Sequence, residues 1–275
     1  MAKKPLVSTI IPYYDAPEFF REALSSIQQQ TYKNYEVVVV DDASPGPPAA
    51  EIVDEFAFPC IKVIRHDTNT GPQTARNTAV ANSAGDYILP FDCDDKLHPE
   101  YISETVRALE DEQFAGAYTQ IAFFGEKTDL WTPQPTLIGV MSGSSSGPNT
   151  FLYRRQVYDA VGGYNTQVYC SDASLWLAAL AHGFKFTLIE RPLLNYRVRS
   201  NGRLARLPKH EHVPSLAAAY PELYSSHMIE LLRFQEERYH SLLNGYHQVV
   251  DGYERLLAER EALNLRIREL ESRMN

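Results

Sequence analysis

Residues 87–95 are Tyr-Ile-Leu-Pro-Phe-Asp-Cys-Asp-Asp, an apolar run that leads directly into three carboxylates. A short apolar run of this kind is typical of a buried strand. Carboxylates so close together repel one another. A divalent cation such as Mg²⁺ or Mn²⁺ relieves that repulsion and can also hold phosphate oxygens. The alternative is an acidic turn at the end of a strand, because isolated Asp-x-Asp triplets are common in loops.

The segments around this run alternate between strand and helix patterns. Apolar runs predict strands at 6–12, 35–40, 61–65 and 86–91. Apolar residues at helical spacing predict helices at 17–30, 49–56 and 72–83. We expect the first strand to stop at Pro12. Such alternation indicates an α/β fold with a parallel sheet and crossover helices.

Two groups of acidic residues follow strands of this predicted sheet. Asp41 and Asp42 end the second strand, and Asp92, Asp94 and Asp95 follow the fourth. Ligands of open α/β sheets bind beyond the carboxyl ends of the strands. We therefore expect both groups at one edge of the sheet, where unpaired carboxylates would only add repulsion.

Composition limits the class of protein. The 275 residues are 44% hydrophobic, enough for one large α/β domain with an appendage. A net charge of −9 argues against a nucleic-acid-binding protein, which normally carries a basic stripe. Three widely spaced cysteines form neither a C-x-x-C pair nor a disulfide framework. With no apolar stretch typical of a signal peptide or a membrane span, these features predict a cytoplasmic protein, with any membrane contact peripheral at the inner face.

The second half of the chain is less regular. The pattern predicts helices at 99–112, 153–162 and 171–182 and one or two strands within 117–131. Residues 132–149 are rich in Gly, Ser and Pro, which predicts a mobile loop. Long loops of this kind are usually lids or binding loops, and the alternative is a plain disordered excursion.

The tail from about residue 230 follows a heptad pattern. Its a positions are Tyr239, Tyr246, Tyr253, Arg260, Ile267 and Met274, and its d positions are Leu242, Val249, Leu256, Leu263 and Leu270. A period of 3.5 residues predicts a coiled coil and hence a homo-oligomer or a link to further domains. The alternative is a long amphipathic helix folded back on the domain.

Several motifs occur in a fixed order over residues 5–202. They are Val7–Asp15, Gln30–Ser44, Asn69–Pro72 with Ala75–Asn77, Gly85–Asp95, Gly162–Tyr164 with Ser171–Asp172 and Leu175–Trp176, and Leu194–Arg197. This set resembles a family 2 inverting glycosyltransferase of the GT-A fold, a Rossmann-like, mostly parallel central sheet flanked by helices. The expected organisation is a GT-A domain at 1–205 and a helical extension at 206–275.

The resemblance implies that a sugar moves from a nucleoside diphosphate sugar to an acceptor hydroxyl with inversion at the anomeric carbon. The donor would be a UDP-, dTDP- or GDP-sugar, and the acceptor a glycan or lipid-linked glycan in cell-surface polysaccharide synthesis. The resemblance also implies that Asp94, with Asp92 and Asp95, holds Mn²⁺ or Mg²⁺ against the donor phosphates.

Further residues are implied as contacts to the nucleotide sugar. Asp42, with Asp41, matches the position that contacts the nucleotide base, where a carboxylate can accept an imide N–H. Arg76 matches an arginine that contacts the donor, and its fork suits phosphate. A salt bridge on a helix face is the alternative for Arg76. The other implied contacts are Pro12, Tyr13, Asp92, Cys93 and Asp94.

The implied general base is Asp172, which would take the proton from the acceptor hydroxyl. Its alternative role is a helix N-cap. The chain departs from the family pattern at two positions. Ser171 stands where the pattern usually has Glu, and Arg199 stands where many members have a His that in some binds the metal. Arg cannot bind a metal, so either the metal would be held by carboxylates, phosphates and water alone, or Arg199 would itself contact phosphate.

Two other functions compete with this interpretation. A catalytically weak nucleotide-sugar-binding scaffold, oligomeric through its coil, would fit the changes at Ser171 and Arg199. A nucleotidyltransferase would share the acidic sheet edge. It would normally bring a Gly-rich phosphate loop near the first strand, and residues 12–15, Pro-Tyr-Tyr-Asp, are not such a loop.

Overall fold

The computed structural model describes residues 4–58, 60–168, 171–200 and 211–274. The chain forms two compact units, Met1–Tyr224 and Ser225–Asn275. The domain boundary expected after residue 205 falls within 201–210, outside the described residues. Helical residues after 210 belong to the first unit as far as Tyr224.

The first half of unit 1 has the alternation that the sequence predicts. Its elements are β1 (Val7–Tyr13), α1 (Pro17–Gln28), β2 (Tyr35–Asp41), α2 (Ala49–Val53), β3 (Ile61–Arg65), α3 (Pro72–Ala81) and β4 (Tyr87–Pro90). The expected stop at Pro12 is wrong, because Pro12 pairs with Val40 inside β1. Strand β4 pairs with β1 only as far as Ile10, so the missing N–H of Pro12 costs no ladder bond on that side.

The second half of unit 1 contains strands that the pattern did not predict. The elements are β5 (Lys96–Leu97), α4 (Tyr101–Ala108), β6 (Gly116–Gly125), β7 (Asp129–Trp131), α5 (Leu137–Met141), β8 (Leu152–Arg154), α6 (Arg155–Val161), α7 (Ser171–Ala181), β9 (Phe186–Val198), α8 (His212–Ala219) and α9 (Pro221–Ser226). Gly162, with a φ of 75°, ends α6 in the left-handed conformation that glycine adopts without strain.

One sheet joins both halves of the unit. Its order is β3-β2-β1-β4-β8-β6-β9-β5, with β7 added on β6. Strands β1 to β4 are parallel, whereas β8 runs antiparallel to both β4 and β6. The predicted fold class, an α/β sheet flanked by helices, is confirmed, although the second half of the sheet is mixed rather than parallel.

Residues 132–149 do not form the plain loop that their composition predicts. Helix α5 lies within them, and the Thr136 Oγ1 atom caps it by accepting the Gly139 N–H at 3.1 Å. Val140 and Met141 are completely buried. The segment is therefore part of the core, because two apolar side chains in its one short helix pack inside the domain.

Unit 2 is dominated by one helix, α10 (Met228–Met274). Those of its heptad side chains that the structure describes are exposed, among them Tyr239 at 64%, Leu242 at 71% and Val249 at 71%. Met228 and Leu232 continue the same seam toward the start of the helix and are also exposed. In the described part of the chain, neither α10 nor any other helix combines the length and apolar character of a membrane span.

Candidate active site

The two acidic groups lie at the carboxyl edge of neighbouring parallel strands. Strand β1 pairs with β2 on one side and with β4 on the other, in parallel register. Asp41 ends β2, and Asp92 follows β4 by two residues. Two strand spacings separate β2 from β4, about 10 Å. The edge therefore has an acidic group on each side of the end of β1.

The Asp41 carboxylate is bonded within the protein. One oxygen accepts the Ser44 N–H at 2.8 Å. The other accepts the Ala49 N–H at 3.0 Å and the Arg65 guanidinium at 2.6 Å. Only 1% of Asp41 is exposed. Asp41 therefore fixes the turn between β2 and α2.

The Asp42 carboxylate is likewise hydrogen-bonded within the protein, to the loop before α3. Its carboxylate accepts the N–H groups of Thr70 and Gly71 at 2.9 and 2.8 Å, and His66 Nδ1 lies 2.8 Å away. Burial acts to raise the pKa of Asp42, but these hydrogen bonds to the charged form outweigh it and lower the pKa. Asp41 and Asp42 thus shape two loops that border the edge.

Arg76 is a buried arginine that pairs with Asp92. It projects from α3, is 3% exposed, and its Nη2 atom lies 2.5 Å from Asp92 Oδ1. The same oxygen accepts a bond from Asn149 Nδ2 at 2.9 Å. The Tyr164 ring lies 5.7 Å from the guanidinium carbon. Burial acts to lower the pKa of Arg76, but the negative charges around it, chiefly that of Asp92 and also that of Asp172, outweigh burial and raise the pKa.

Asp94 and Asp95 face the last strand of the domain. Arg199 Nη2 lies 2.5 Å from Asp94 Oδ2, and the Arg197 N–H donates to Asp95 Oδ1 at 2.8 Å. Burial, together with the charge of Asp92, raises the pKa of Asp94 and raises that of Asp95 further. In the turn formed by residues 92–95, called the acidic turn below, the carboxylates therefore still repel one another with Arg199 present.

Arg197 connects the acidic turn to the first helix. Its guanidinium donates to the Asp94 carbonyl at 2.8 Å and to Glu22 at 2.9 Å. The Phe19 ring lies against both arginines of the strand, 4.4 Å from Arg197 and 4.7 Å from Arg199. Contacts of a cation with an aromatic face stabilise this arrangement and fix the direction of both side chains.

Asp172 lies in the first turn of α7, which begins at Ser171. Its carboxylate accepts the Ala173 N–H, as expected for a group at a helix N-terminus. Burial raises the pKa of Asp172, and the nearby Arg76 opposes that rise. Asp172 thus has features of both predicted roles, because it contacts the helix N-terminus and also lies near Arg76 and Asp92.

The other predicted contacts lie along β1 and β4. Tyr13 is fully buried, and its hydroxyl donates to the Pro47 carbonyl at 2.9 Å. Its backbone carbonyl accepts the Asp42 N–H at 2.9 Å. Pro12 is partly exposed beside it. Burial, with the charge of Asp94, raises the pKa of Cys93, so this thiol stays protonated at neutral pH.

The acidic turn has the donor chemistry of a divalent-cation site. Asp92 and Asp94 are both partly exposed, and each forms its ion pair through one oxygen, Oδ1 of Asp92 and Oδ2 of Asp94. Hard oxygen ligands that repel one another suit Mn²⁺ or Mg²⁺. In the described residues, however, no group of three or more His, Cys, Asp or Glu side chains is arranged to hold an ion. A metal here would need oxygens from a bound phosphate or water to complete its shell.

The sequence did not predict a role for some residues of the site. Tyr196 and Arg197 belong to the motif Leu194–Arg197, but no role was predicted for either. Burial, together with the charge of Asp95, raises the pKa of Tyr196. Asn149 lies in the Gly/Ser/Pro-rich segment, where nothing in the pattern singles it out. His66 follows β3 and has no motif of its own.

Comparison with known proteins agrees with this architecture. The family model for glycosyl transferase family 2 matches residues 8–176, more than half of the chain. The amylovoran biosynthesis glycosyltransferase AmsB of Erwinia amylovora is 25% identical over 209 residues, covering 70% of this chain and 69% of that protein. An uncharacterized glycosyltransferase of Rickettsia felis is 33% identical over 135 residues, or 46% of this chain, and the match spans 22% of its length.

Solved structures share the fold at low sequence identity. The structure of S. aureus TarS residues 1–349 in complex with UDP has a TM-score of 0.61 and 21% identity, covering 70% of this chain and 61% of that one. The mannosyltransferase PcManGT of Pyrobaculum calidifontis, in complex with GDP-Man and Mn²⁺, has a TM-score of 0.63 and 18% identity, covering 80% and 65%. With the family match over residues 8–176, these findings confirm the resemblance: the chain belongs to glycosyl transferase family 2.

Proposed function

We propose that the chain transfers a sugar from a nucleoside diphosphate sugar to an acceptor hydroxyl, with inversion at the anomeric carbon. The observation that supports this most directly is the ion pair of the buried Arg76 with Asp92 at the carboxyl edge of the sheet, where the charge of Asp172 also acts on Arg76. In the proposed reaction this guanidinium lies on the donor side, near the proposed base. Arg76, Asp92 and Asp172 come from three separate parts of the chain. A purely structural salt bridge would need only Arg76 and Asp92.

The proposed reaction is a direct displacement. Asp172 takes the proton of the acceptor hydroxyl as that oxygen bonds to the anomeric carbon. The bond from that carbon to the diphosphate oxygen breaks, and the electron pair leaves with the diphosphate. Arg199 lies at the acidic turn and is proposed to contact the phosphates as their charge develops. A divalent cation held by Asp94 and Asp92, with Asp95 behind them, would supply further charge neutralisation.

The nucleotide is proposed to lie at the end of β1. Asp41 and Asp42 fix the two loops there, and Asp42 is the proposed contact to the base. Pro12 and Tyr13 present the strand end to the nucleotide, and Cys93 lies behind the phosphates. The structural neighbours that bind UDP and GDP-Man support a nucleotide-sugar donor. The similarity to the amylovoran enzyme supports a role in polysaccharide synthesis, with a glycan or lipid-linked glycan as acceptor.

Substitution of the base tests this function. Thermal shift with Mn²⁺ over a panel of UDP-, dTDP- and GDP-sugars identifies the donor, because a ligand of the folded state raises Tm. Hydrolysis or transfer of that donor is then measured. Asp172→Asn is expected to abolish turnover and keep the donor-induced Tm shift, whereas Asp159→Asn, an exposed control on α6, keeps both. Equal turnover in Asp172→Asn and the wild type would contradict the proposed role.

One observation favours the second candidate, a catalytically weak scaffold. Arg199 already neutralises Asp94, a carboxylate that the metal would use. A scaffold would bind the donor with a clear Tm shift and show no turnover with any donor or metal. An enzyme would turn over the donor that gives the shift, so one pair of measurements separates the two.

We also propose that α10 self-associates through its heptad seam. Exposed apolar residues recur there every three or four positions from Tyr239 to Val249, and Leu232 and Leu256 extend the same seam by one heptad on either side. Such a stripe is stabilised when a second helix covers it.

A further inference from the structure

Two side chains from different parts of the chain hold the Asp92 carboxylate, and both use the same oxygen. Arg76 Nη2 lies 2.5 Å from Asp92 Oδ1, and Asn149 Nδ2 donates to that oxygen at 2.9 Å. The Asp92 side chain is 28% exposed, and its Oδ2 atom accepts no hydrogen bond from the described residues. Oδ1 is therefore used inside the protein, and Oδ2 is the oxygen left for a ligand.

The contact between Arg76 and Asp92 is one hydrogen bond, from Nη2 to Oδ1. An arginine and a carboxylate frequently pair through two parallel bonds, because the planar guanidinium matches both oxygens. Such a bidentate pair would turn Oδ2 toward Arg76 as well. Asn149 opposes this turn, because rotation of the carboxylate would break the hydrogen bond from Asn149 to Oδ1.

The other end of the Asn149 amide has no partner. Its Oδ1 atom is buried, and no described residue donates a hydrogen bond to it. The atom has almost no accessible surface, so solvent does not supply the missing donor. Rotation of the amide by 180° would place Oδ1 against the Asp92 oxygen, where two acceptors repel each other. A buried oxygen without a partner costs stability, so the bond to Asp92 is the reason for an amide at this position.

The backbone on both sides of Asn149 is fixed to the core. The Pro148 carbonyl accepts the indole N–H of Trp176 on α7 at 2.9 Å. The Thr150 carbonyl accepts the hydroxyl of Tyr101 on α4 at 3.1 Å. Trp176 and Tyr101 are both fully buried. The asparagine is therefore held in position by two packed helices and not only by bonds within its own segment.

We propose that Asn149 is a positioning residue for the donor site. It holds Oδ1 of Asp92, prevents a bidentate pair with Arg76, and so keeps Oδ2 open to a divalent cation and to the donor diphosphate. This inference rests on the proposed glycosyltransferase function, in which Asp92 contacts the metal and the donor. It adds a residue that lies outside every sequence motif and acts through Asp92.

A double-mutant cycle between Asn149 and Asp92 tests the inference on the full chain. Asn149→Leu removes the N–H donor and the unpartnered oxygen at similar side-chain volume. Titration calorimetry measures the Kd of Mn²⁺ alone, and of UDP, dTDP and GDP with Mn²⁺ present. Asn149→Leu is expected to weaken Mn²⁺ and nucleotide binding roughly tenfold, as for the loss of one hydrogen bond to a charged group. In an Asp92→Asn background the same substitution is expected to change each Kd by less than about twofold.

Asn34→Leu is the matched control. Asn34 is also half-buried, and its Nδ2 atom donates to the Lys4 carbonyl at 2.8 Å. It directly precedes β2, at the opposite edge of the sheet from the acidic turn. Its substitution is expected to leave each Kd unchanged. Tm shows whether each variant is folded, and Asn149→Ala, which removes the same two amide atoms, replaces Asn149→Leu if the larger side chain unfolds the domain.

Each result has a defined meaning. Equal Kd values for Asn149→Leu and the wild type overturn the inference. An equal loss of affinity in the wild-type and Asp92→Asn backgrounds also overturns it, because the effect would then not pass through Asp92. If Mn²⁺ gives the expected cycle but no nucleotide binds the wild type, the positioning role stands and the proposed function is contradicted. A wild type that binds neither Mn²⁺ nor any nucleotide contradicts both.

Discussion

Arg199 and Asp94 form an ion pair in which Nη2 and Oδ2 are 2.5 Å apart. The pair joins the residue that directly follows β9 to the acidic turn after β4, over 105 positions of sequence. In the proposed function, a divalent cation would use the oxygen that the guanidinium occupies. Arginine and metal would then compete for Asp94, and each would partly replace the charge of the other.

Removal of Arg199 is expected to tighten metal binding. A partly exposed ion pair such as this one contributes about 1 kcal/mol. A metal no longer has to displace that pair in Arg199→Ala, so the affinity for Mn²⁺ should rise roughly fivefold. Arg199→His should raise it further, because imidazole adds a ligand. Titration calorimetry with Mn²⁺ measures both. Arg191→Ala, an exposed position on the same strand, is the control.

The same substitution tests whether Arg199 contacts the donor phosphate or only pairs with Asp94. If it contacts phosphate, Arg199→Ala weakens donor binding in the absence of metal. Unchanged affinity for both Mn²⁺ and donor would show that the ion pair is only structural.

As the pH is lowered, the rate of transfer is expected to fall at a higher pH than it would if the base were an exposed Asp. Asp172 can accept a proton only when it is ionised, and burial raises its pKa above the ordinary value of 3.8. The rate should therefore rise with pH through that raised pKa and then level off. Initial rates at saturating donor and acceptor measure the profile. A midpoint at or below 3.8 contradicts the assignment of Asp172 as the titrating base.

Asp42 is expected to stabilise the fold, and the effect depends on pH. Its pKa is lowered in the folded state, so its stabilisation is complete above the ordinary value of 3.8 and is lost as pH falls through the folded value. Asp42→Asn should lower the free energy of unfolding by about 1–3 kcal/mol at pH 7. Urea denaturation measures this, with the exposed Asp67→Asn as control.

The pH series provides the decisive comparison for Asp42. The difference between wild type and Asp42→Asn should shrink as the pH falls below 3.8. A difference that stays constant from pH 7 into that range would mean that the charged form of Asp42 has no special role.

Charge introduced into the heptad seam of α10 is expected to dissociate the oligomer. Leu242→Asp combined with Val249→Asp places carboxylates on a face that would be buried between helices. The double variant Asn244→Asp with Gln248→Asp adds the same charge at positions outside the seam. Sedimentation equilibrium of the full chain should give a multiple of the 31.2 kDa chain mass for the wild type and the control, and the single-chain mass for the seam variant. A monomeric wild type excludes self-association.

Local sequence patterns predicted the first half of the sheet well. Each of its strands is a short, largely apolar run, and β1, β2 and β3 are each followed by a helix. The patterns did not predict β9, because its outward-facing residues are mostly polar and a bulge interrupts its register near Gln120 of β6. Strand β9 carries Arg197 and ends just before Arg199, so the missed strand is the one that brings both arginines to the acidic turn.

The candidate site shows the same limit. Carboxylates at strand ends can be found from sequence, because the rule that locates ligands in α/β sheets applies to each strand separately. The partners of those carboxylates cannot be found in this way. Asn149 bonds to Asp92 across 57 positions and lies in a segment whose composition predicted only a loop. Contacts of this separation depend on how the whole domain folds.

Asn149 also has a consequence for how ligands bind. Its side chain bonds to Asp92 in the acidic turn, and the neighbouring Pro148 carbonyl accepts the indole N–H of Trp176, on the helix that carries Asp172. A ligand that holds this segment in place at one end reduces the freedom that the other ligand must restrict. Donor and acceptor should therefore bind cooperatively. By thermodynamic reciprocity, each should lower the Kd of the other by the same factor, whichever arrives first.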